Sequence, residues 1–263
     1  MNFIQVSKME QKVTSPSFFR IIEEKTIKPG QYSKLLVSIP EIGLVSILAA
    51  RKLIKDLKME RVGFAVSEPT SVIIRYENKK PEPMIRLFAR DDILLLLYEA
   101  PLTSLMLIPL ANLIIRLIEE KNIELPIMLA SAPSQNRMSK GDEELTIIGA
   151  PVGDLAVKTL EEAGIKVVDN GTLSGPFAYV LNNMLMKKKA ALVLLSETFP
   201  TPFAADPGSA AKLLKALAKI LGRENEIDER ELLERAEELR MEMRKLEKAM
   251  SVSLPKEVSE LYT

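Results

Sequence analysis

The sequence contains no cysteine, no histidine and no tryptophan among its 263 residues. Without cysteine there is no disulfide framework, iron–sulfur cluster or thiolate nucleophile. Without histidine or cysteine, the usual zinc, copper and haem sites lack their ligands, and a Ser-His-Asp triad is excluded. Only carboxylate, lysine or tyrosine chemistry and magnesium held by oxygen ligands remain open. We therefore predict a protein that is not an enzyme, with no catalytic residue, no metal site and no cofactor.

The chain also lacks an excess of either charge, with 36 Lys and Arg side chains against 36 Asp and Glu side chains. A neutral protein has no net attraction to nucleic acid or to an anionic membrane surface, so neither is expected as a partner. No apolar run reaches the roughly 20 residues of a membrane-spanning helix. Charged residues near the N-terminus stand where a signal peptide needs its apolar run. We therefore expect a soluble, cytoplasmic protein.

Apolar segments typical of strands alternate with helical segments along the chain. The continuous apolar run at 93–98 predicts a strand that is buried on both faces. Two β-type runs, 71–76 and 84–88, flank the polar segment 78–81 and predict a hairpin. The alternation as a whole predicts an α/β fold with a mostly parallel or mixed central sheet, flanked by helices.

The character of the chain changes after Gly222, and residues 228–250 are almost all Glu, Arg, Lys, Leu, Met and Ala. Apolar residues recur there at intervals of four and three, as in a heptad seam. The seam consists of Leu232, Ala236, Leu239, Met243, Leu246 and Met250. We divide the chain into an α/β core domain (1–222), a protruding charged helix (223–250) and a flexible tail (251–263). The seam either packs on its own domain or pairs with another copy, and both alternatives stay open.

Two segments, taken in order along the chain, carry recognisable motifs. In the first, at 35–45, a strand runs into a Pro-x-x-Gly-Leu-Val turn and then a helix. The second runs from a glycine turn at 171–175 through Glu197-Thr198 into an Asp-Pro-x-x-Ala helix. Together they resemble the proteasome assembly chaperone 2-like family, and the resemblance covers about residues 18–228. The turn residues that carry it are Pro40, Gly43, Gly171, Gly175, Asp206 and Pro207. Two features depart from the family pattern: Glu41 stands where glycine is common, and Pro176-Phe177 stands where smaller residues are usual.

The resemblance implies a non-enzymatic protein that forms homo-oligomers and associates with the proteasome core particle. The final residues Leu261, Tyr262 and Thr263 are similar to the hydrophobic-Tyr-x tail by which proteasome activators dock on the α-ring of the 20S particle. In that mode the terminal carboxylate pairs with a lysine in a pocket between α subunits, and the tyrosine helps to hold the gate open. The charged helix would give the tail its reach. The protein would act as an assembly chaperone, as a gate-opening activator, or as both.

Two other functions stay open. The first is a nucleoside phosphorylase or hydrolase, because such enzymes share a similar sheet. The turn at 171–175 would then hold phosphate, and Glu197 or Asp206 would hold the sugar or base, although the lack of histidine weakens this hypothesis. The second is an oligomeric scaffold whose partner is not the proteasome.

Overall fold

The computed structural model describes residues 18–67, 72–201 and 204–253, apart from the side chains at 243 and 246–253. The strands are β1 (Arg20–Glu23), β2 (Lys34–Ser38), β3 (Glu60–Val66), β4 (Arg75–Glu77), β5 (Lys80–Glu82), β6 (Ile85–Arg90), β7 (Ile93–Tyr98), β8 (Leu125–Pro133), β9 (Ile147–Val152), β10 (Lys166–Val167) and β11 (Ala191–Thr198). The α-helices are α1 (Val45–Asp56), α2 (Leu107–Glu120), α3 (Asp154–Glu162), α4 (Pro176–Met186), α5 (Pro207–Leu221) and α6 (Arg230–Ser253).

The main sheet has nine strands in the order β1-β3-β6-β7-β2-β8-β11-β9-β10. Its middle is parallel, because β7, β2, β8 and β11 pair side by side in one direction. The pairs β1–β3, β3–β6, β6–β7 and β9–β11 are antiparallel. The sheet is therefore mixed, and the predicted α/β fold is confirmed.

Helices cover both faces of the sheet, because alternate residues of each strand point to opposite sides. On one side, Val37 of β2 belongs to a core that includes residues of α2 and α4. On the other side, its neighbour Leu36 belongs to a core that includes residues of α1, α3 and α5. Every residue of β7 is buried, as its continuous apolar run predicts.

The hairpin was predicted in the right region, and its first run overlaps β4, but its second strand was wrong. The residues that pair are the short strands β4 and β5, joined by Asn78 and Lys79, both with positive φ (50° and 64°). Positive φ at both central residues is the requirement of the tight turn that matches strand twist. This hairpin forms a separate two-stranded sheet. The predicted second strand, 84–88, instead lies in β6 and pairs with β3 and β7.

Helix α5 has a polar start and a glycine end. The carboxylate of Asp206 accepts a hydrogen bond from the backbone N–H of Ser209 at 3.0 Å, and Pro207 occupies the first turn. Gly222 ends the helix in the left-handed region, with φ of 64°. Asp206 therefore acts both as a helix cap and, as described below, as one half of a buried ion pair.

Candidate functional site

The carboxyl ends of the parallel strands β2, β8 and β11 lie side by side at one edge of the sheet. In open α/β sheets this edge is where the connections can form a site. We call this region the motif edge and define it as residues 39–46, 131–142, 196–201 and 204–209. It contains four of the six turn residues named from the sequence: Pro40, Gly43, Asp206 and Pro207.

The turn after β2 is held by contacts from the two neighbouring connections. The hydroxyl of Ser131 donates to the carbonyl of Ile42 at 2.8 Å. The backbone N–H of Asp206 donates to the carbonyl of Gly43, also at 2.8 Å. The two family-like segments, far apart in the sequence, are thus joined directly by a backbone hydrogen bond.

A buried ion pair lies at the centre of the motif edge. Asp206 is fully buried and Arg137 is 2% exposed. The guanidinium donates to both carboxylate oxygens of Asp206 at 2.7 Å, from Nε to Oδ2 and from Nη2 to Oδ1. The Arg137 guanidinium also lies 4.5 Å from the ring centre of Phe199, a cation–π contact. The pair fixes the loop after β8 to the start of α5.

Further hydrogen bonds connect the ion pair to α6. Arg137 Nη2 also donates to Asp142 Oδ1 at 3.0 Å, and the other oxygen of Asp142 accepts from Arg240 of α6. Gly208 makes room for this arrangement, because a Cβ at that position would lie 2.1 Å from Asp142 Oδ1. Asp142 therefore connects the buried pair of the core to α6.

The sequence pattern does not single out Arg137. An arginine between Asn136 and Met138 carries no local signal of burial. Its partner Asp206 is 69 positions away in the sequence. Only the topology of the sheet brings the two together.

The first half of α6 packs on the core. Leu232 and Ala236, the first two seam residues, are each 4% exposed. Leu232 lies in the same core as α1 and α5, and Glu231 pairs with Lys55 of α1 at 2.7 Å. Leu239 is partly buried, whereas Met241 is 50% exposed. The early part of the seam therefore serves the packing of α6 on its own domain.

The remaining predicted residues are only partly within the described structure. Met243, Leu246 and Met250 lie in α6, but their side chains are outside the described part. Leu261, Tyr262 and Thr263 lie outside the described residues altogether. The division of the chain at Gly222 and the tail stay predictions, and α6 begins at Arg230.

Glu41, one of the two departures from the family pattern, caps α1. Its Oε1 accepts a hydrogen bond from the backbone N–H of Ser46, in the first turn of that helix, at 2.6 Å. Leu44, at the formal cap position, makes no side-chain hydrogen bond to the helix. Glu41 therefore supplies the missing cap from a position before the turn.

Burial of the Glu41 carboxyl makes stability depend on pH. Burial raises the pKa of Glu41 from its ordinary 4.5 to about 8, although the bonds from Ser46 act in the opposite direction. The folded state thus holds a proton that the unfolded chain releases, so the stability from this group is complete below pH 4.5 and is lost as the pH rises through about 8.

We expect Glu41→Gln, which keeps the acceptor oxygen, to be more stable than the parent at pH 9 by about 2 kcal/mol or more. The difference should shrink towards zero as the pH falls to 4.5. Urea denaturation across this pH range measures it. Glu162→Gln, in an exposed pair with Lys158, is the matched control and should show no such trend. A constant difference between Glu41→Gln and the parent at all pH values would contradict the assignment.

Two of the carboxylates considered for an enzyme are engaged in ion pairs. Asp206 is paired with Arg137. Glu197 accepts from Lys140 at 2.7 and 2.9 Å. Burial would raise the pKa of Glu197, but the bond from Lys140 and its charge outweigh this effect and hold the pKa below its ordinary range. Within the ranges that the model describes, no group of three or more acidic side chains is placed to hold a metal ion.

The other two predicted turn residues, Gly171 and Gly175, lie on the connection between β10 and α4. Gly175 begins α4 with φ of 87°, and a Cβ there would meet nothing within 4 Å. The segment therefore forms a strand-to-helix turn. Within the described residues, no backbone hydrogen bond joins this turn to the motif edge.

The model of the PAC2 family matches residues 35–247. The chain belongs to the PAC2 family. The resemblance noted in the sequence is confirmed, and the match extends it from about residue 228 into α6, past Arg240. The helix that carries the outer end of the Arg137–Asp142–Arg240 network is therefore part of the family region. No curated protein matches the chain by sequence.

Solved structures share the fold of this PAC2 member. PbaA of Pyrococcus furiosus, an archaeal homologue of proteasome-assembly chaperone, aligns with a TM-score of 0.74 at 23% identity, over 88% of this chain and 93% of PbaA. PbaB of the same organism, an archaeal proteasome activator, aligns with a TM-score of 0.70 at 23% identity, over 88% of this chain and 99% of PbaB. A Mycobacterium tuberculosis proteasome-assembly chaperone homologue aligns with a TM-score of 0.58 at 12% identity, over 81% of this chain and 94% of its own. At these identities the likeness shows the fold.

Proposed function

We propose that this PAC2 protein is a non-enzymatic, homo-oligomeric partner of the 20S proteasome core particle that docks its C-terminal tail on the α-ring. Its role is that of an assembly chaperone homologue, a gate-opening activator, or both. The observation that carries the proposal is the combination of the PAC2 fold with the ending Leu261-Tyr262-Thr263. The names of PbaA and PbaB, a chaperone homologue and an activator, support both roles.

The attachment of α6 supports tail presentation. Leu232, Ala236 and Arg240 fix the start of this helix to the core, and Met241 beyond them is half exposed. The helix is held at its first turns and continues to Ser253, so it carries the residues after it away from the attached part at about 1.5 Å per residue. Several such tails on one oligomer would bind together, so that weak individual contacts gain from multivalency.

Exposed apolar side chains support self-association. Leu105, in the 3-10 turn before α2, and Ile108, in the first turn of α2, are 83% and 47% exposed. Leu185 and Met186, at the end of α4, are 60% and 76% exposed. Large exposed apolar groups on neighbouring helices are typical of contact surfaces. Light scattering coupled to size exclusion measures the mass of the assembly, and a monomer at micromolar concentration would contradict the oligomeric part.

We expect deletion of residues 261–263 to abolish binding to archaeal 20S core particles. The physical reason is that the deletion removes the apolar anchor and the aromatic ring and moves the terminal carboxylate to a residue that lacks both. Peptidase rates and surface plasmon resonance, with the full chain and the truncated chain, measure the effect. Lys256→Ala, close to the tail but outside the last three residues, is the control and should bind like the parent.

The outcomes separate the roles. Stimulation of peptidase activity that disappears with the truncation identifies a gate-opening activator. Binding without stimulation, again lost with the truncation, identifies a chaperone-type partner. Binding that survives the truncation overturns the tail mechanism, and no binding by either chain favours a scaffold with another partner.

A further inference from the structure

A concave site lies away from the motif edge, since no motif-edge residue belongs to its lining. It is a cleft of about 760 Å³ between α1, strands β6 and β7, and the β4–β5 hairpin. Its size is within the range of about 300–1,000 Å³ that small-molecule sites occupy. Ile54, Phe88 and Leu97 supply apolar side chains to its lining, and most of the other lining residues are charged. We call it the arginine cleft.

Three arginines converge on one carboxylate in the arginine cleft. Glu99 Oε1 accepts from Arg51 Nε at 2.7 Å and from Arg75 Nη1 at 2.8 Å, and Oε2 accepts from Arg86. The Glu99 side chain is 5% exposed. Burial would raise the pKa of Glu99, but the bond from Arg51 and the charge of Arg86 hold it below the ordinary range. A single carboxylate charge cannot neutralise three guanidinium groups.

A second carboxylate near these arginines is weakly held. Glu77, on the hairpin, is 46% exposed and lies 3.2 Å from Arg86 Nη1 and 3.7 Å from Arg75 Nη2. Its contacts are longer than those of Glu99, and its exposure lets it move aside. Two negative charges therefore face three arginines, and one of the two is replaceable.

Two cationic side chains near Glu77 have a donor or a charge without a partner. Arg86 is 6% exposed, and its Nε is buried without a hydrogen-bond partner within the described structure. A buried donor of this kind ordinarily has a partner, because leaving it unpaired costs about 1–3 kcal/mol. Lys80 also lines the cleft and forms no ion pair with any residue that the structure describes.

The charged side chains around the cleft leave an excess of positive charge. Arg61 pairs with both Glu24 and Glu82, and Glu82 lies opposite Arg75 in the hairpin register. Lys55 pairs with Glu231, which is outside the lining. The remaining cationic side chains are Arg51, Arg61, Arg75, Lys80 and Arg86, and the carboxylates that face them are Glu24, Glu77, Glu82 and Glu99. An anion would bind beside Arg75 and Arg86, where displacement of Glu77 increases this excess.

We propose that the arginine cleft binds a small organic anion through a phosphoryl-type group with at least two negative charges. Arg51, Arg75, Arg86 and Lys80 contact that group, and Glu77 gives way to it. The uncharged body of the ligand lies along Ile54 and Phe88. Guanidinium forks are suited to phosphate oxygens, and charge-assisted bonds to them are among the strong hydrogen bonds of proteins. The site is independent of the proposed proteasome function.

Inorganic pyrophosphate is the probe that tests this site, titrated into the full chain by calorimetry at low ionic strength. We expect saturable binding that weakens about tenfold in Lys80→Ala and in Arg75→Gln, each of which removes one charged contact. Glu77→Gln should bind pyrophosphate about threefold more tightly or better, because it removes the competing carboxylate. A gain in affinity cannot result from loss of the fold.

Glu162→Gln is the matched control, since it makes the same charge change in an exposed pair with Lys158 on α3. Its affinity should equal that of the parent. Equal affinities of Glu77→Gln and Glu162→Gln would show that pyrophosphate is attracted only by overall charge, and would overturn the site. Binding heats that do not saturate by about 10 mM pyrophosphate would also overturn the site. Tighter binding of citrate than of pyrophosphate would overturn the phosphoryl assignment.

Discussion

Replacing Asp206 with asparagine is expected to destabilise the folded chain by about 3–5 kcal/mol, which corresponds to a fall in melting temperature on the order of 10 °C. Asparagine is as good a helix cap as aspartate, so the backbone bond from Ser209 can persist. What is lost is the charge that faces Arg137, which is 2% exposed. Removing one partner of a buried pair leaves the other charge without compensation.

Urea denaturation gives the free energy of unfolding of this variant. Glu162→Gln serves as the control for loss of a carboxylate charge, because its pair with Lys158 is about 70% exposed on both sides. Pairs of that kind contribute less than about 1 kcal/mol. A destabilisation of Asp206→Asn no larger than that of Glu162→Gln would show that the buried pair contributes nothing to stability.

A double-mutant cycle isolates the pair itself. Arg137→Met removes the buried charge and keeps much of the side-chain volume over Phe199. The double variant Arg137→Met with Asp206→Asn should lose less free energy of unfolding than the sum of the two single losses, by about 1–3 kcal/mol. Additive effects would mean that the two residues stabilise the motif edge separately.

The elements that the sequence predicted well are those with local signals. Helix α5 has local signals at both termini, Asp206-Pro207 at its start and Gly222 at its end, and each residue acts at its own terminus. The burial of β7 followed from its continuous apolar run. Such signals are contained in neighbouring residues, so no knowledge of the tertiary structure is needed to interpret them.

Strand direction was harder to predict. The run that forms β7 is apolar throughout, and a strand buried on both faces has the same composition in a parallel or an antiparallel pair. The turn between β6 and β7 places Asp91 at a positive φ of 51°, although aspartate at that point gives no clear signal of a tight turn. The antiparallel half of the sheet was therefore underestimated.

The residues of the motif edge could be predicted only in part, because some carry local signals and others depend on distant partners. Pro40, Gly43, Asp206 and Pro207 were named as turn residues, and the structure places them at one edge. Arg137 was missed because its importance depends on a partner brought to it by the order of β8 and β11. The charges of the arginine cleft were missed in the same way, since Arg51, Arg75 and Arg86 come from three different elements.

Substituting Gly43 with alanine is expected to destabilise the protein by about 3 kcal/mol or more, through two separate effects. Gly43 has φ of 78°, which a residue with a side chain rarely adopts. A Cβ at this position would also lie 2.1 Å from Thr198 Oγ1, at the end of β11. The clash cannot be relieved by moving a flexible chain end, because Thr198 is branched and fully buried.

Gly222→Ala separates the two effects. Gly222 has a similar φ of 64°, and a Cβ there would meet nothing within 4 Å, so this variant reports the backbone strain alone, about 1 kcal/mol. The excess loss in Gly43→Ala measures the contact with Thr198, and Thr198→Ala in the same chain should recover part of it. Equal destabilisation by the two glycine variants would contradict the close approach of the turn to β11. An excess that Thr198→Ala recovers would show that the turn after β2 is shaped by the strand two places along the sheet, which is why a glycine is needed at that point of the motif.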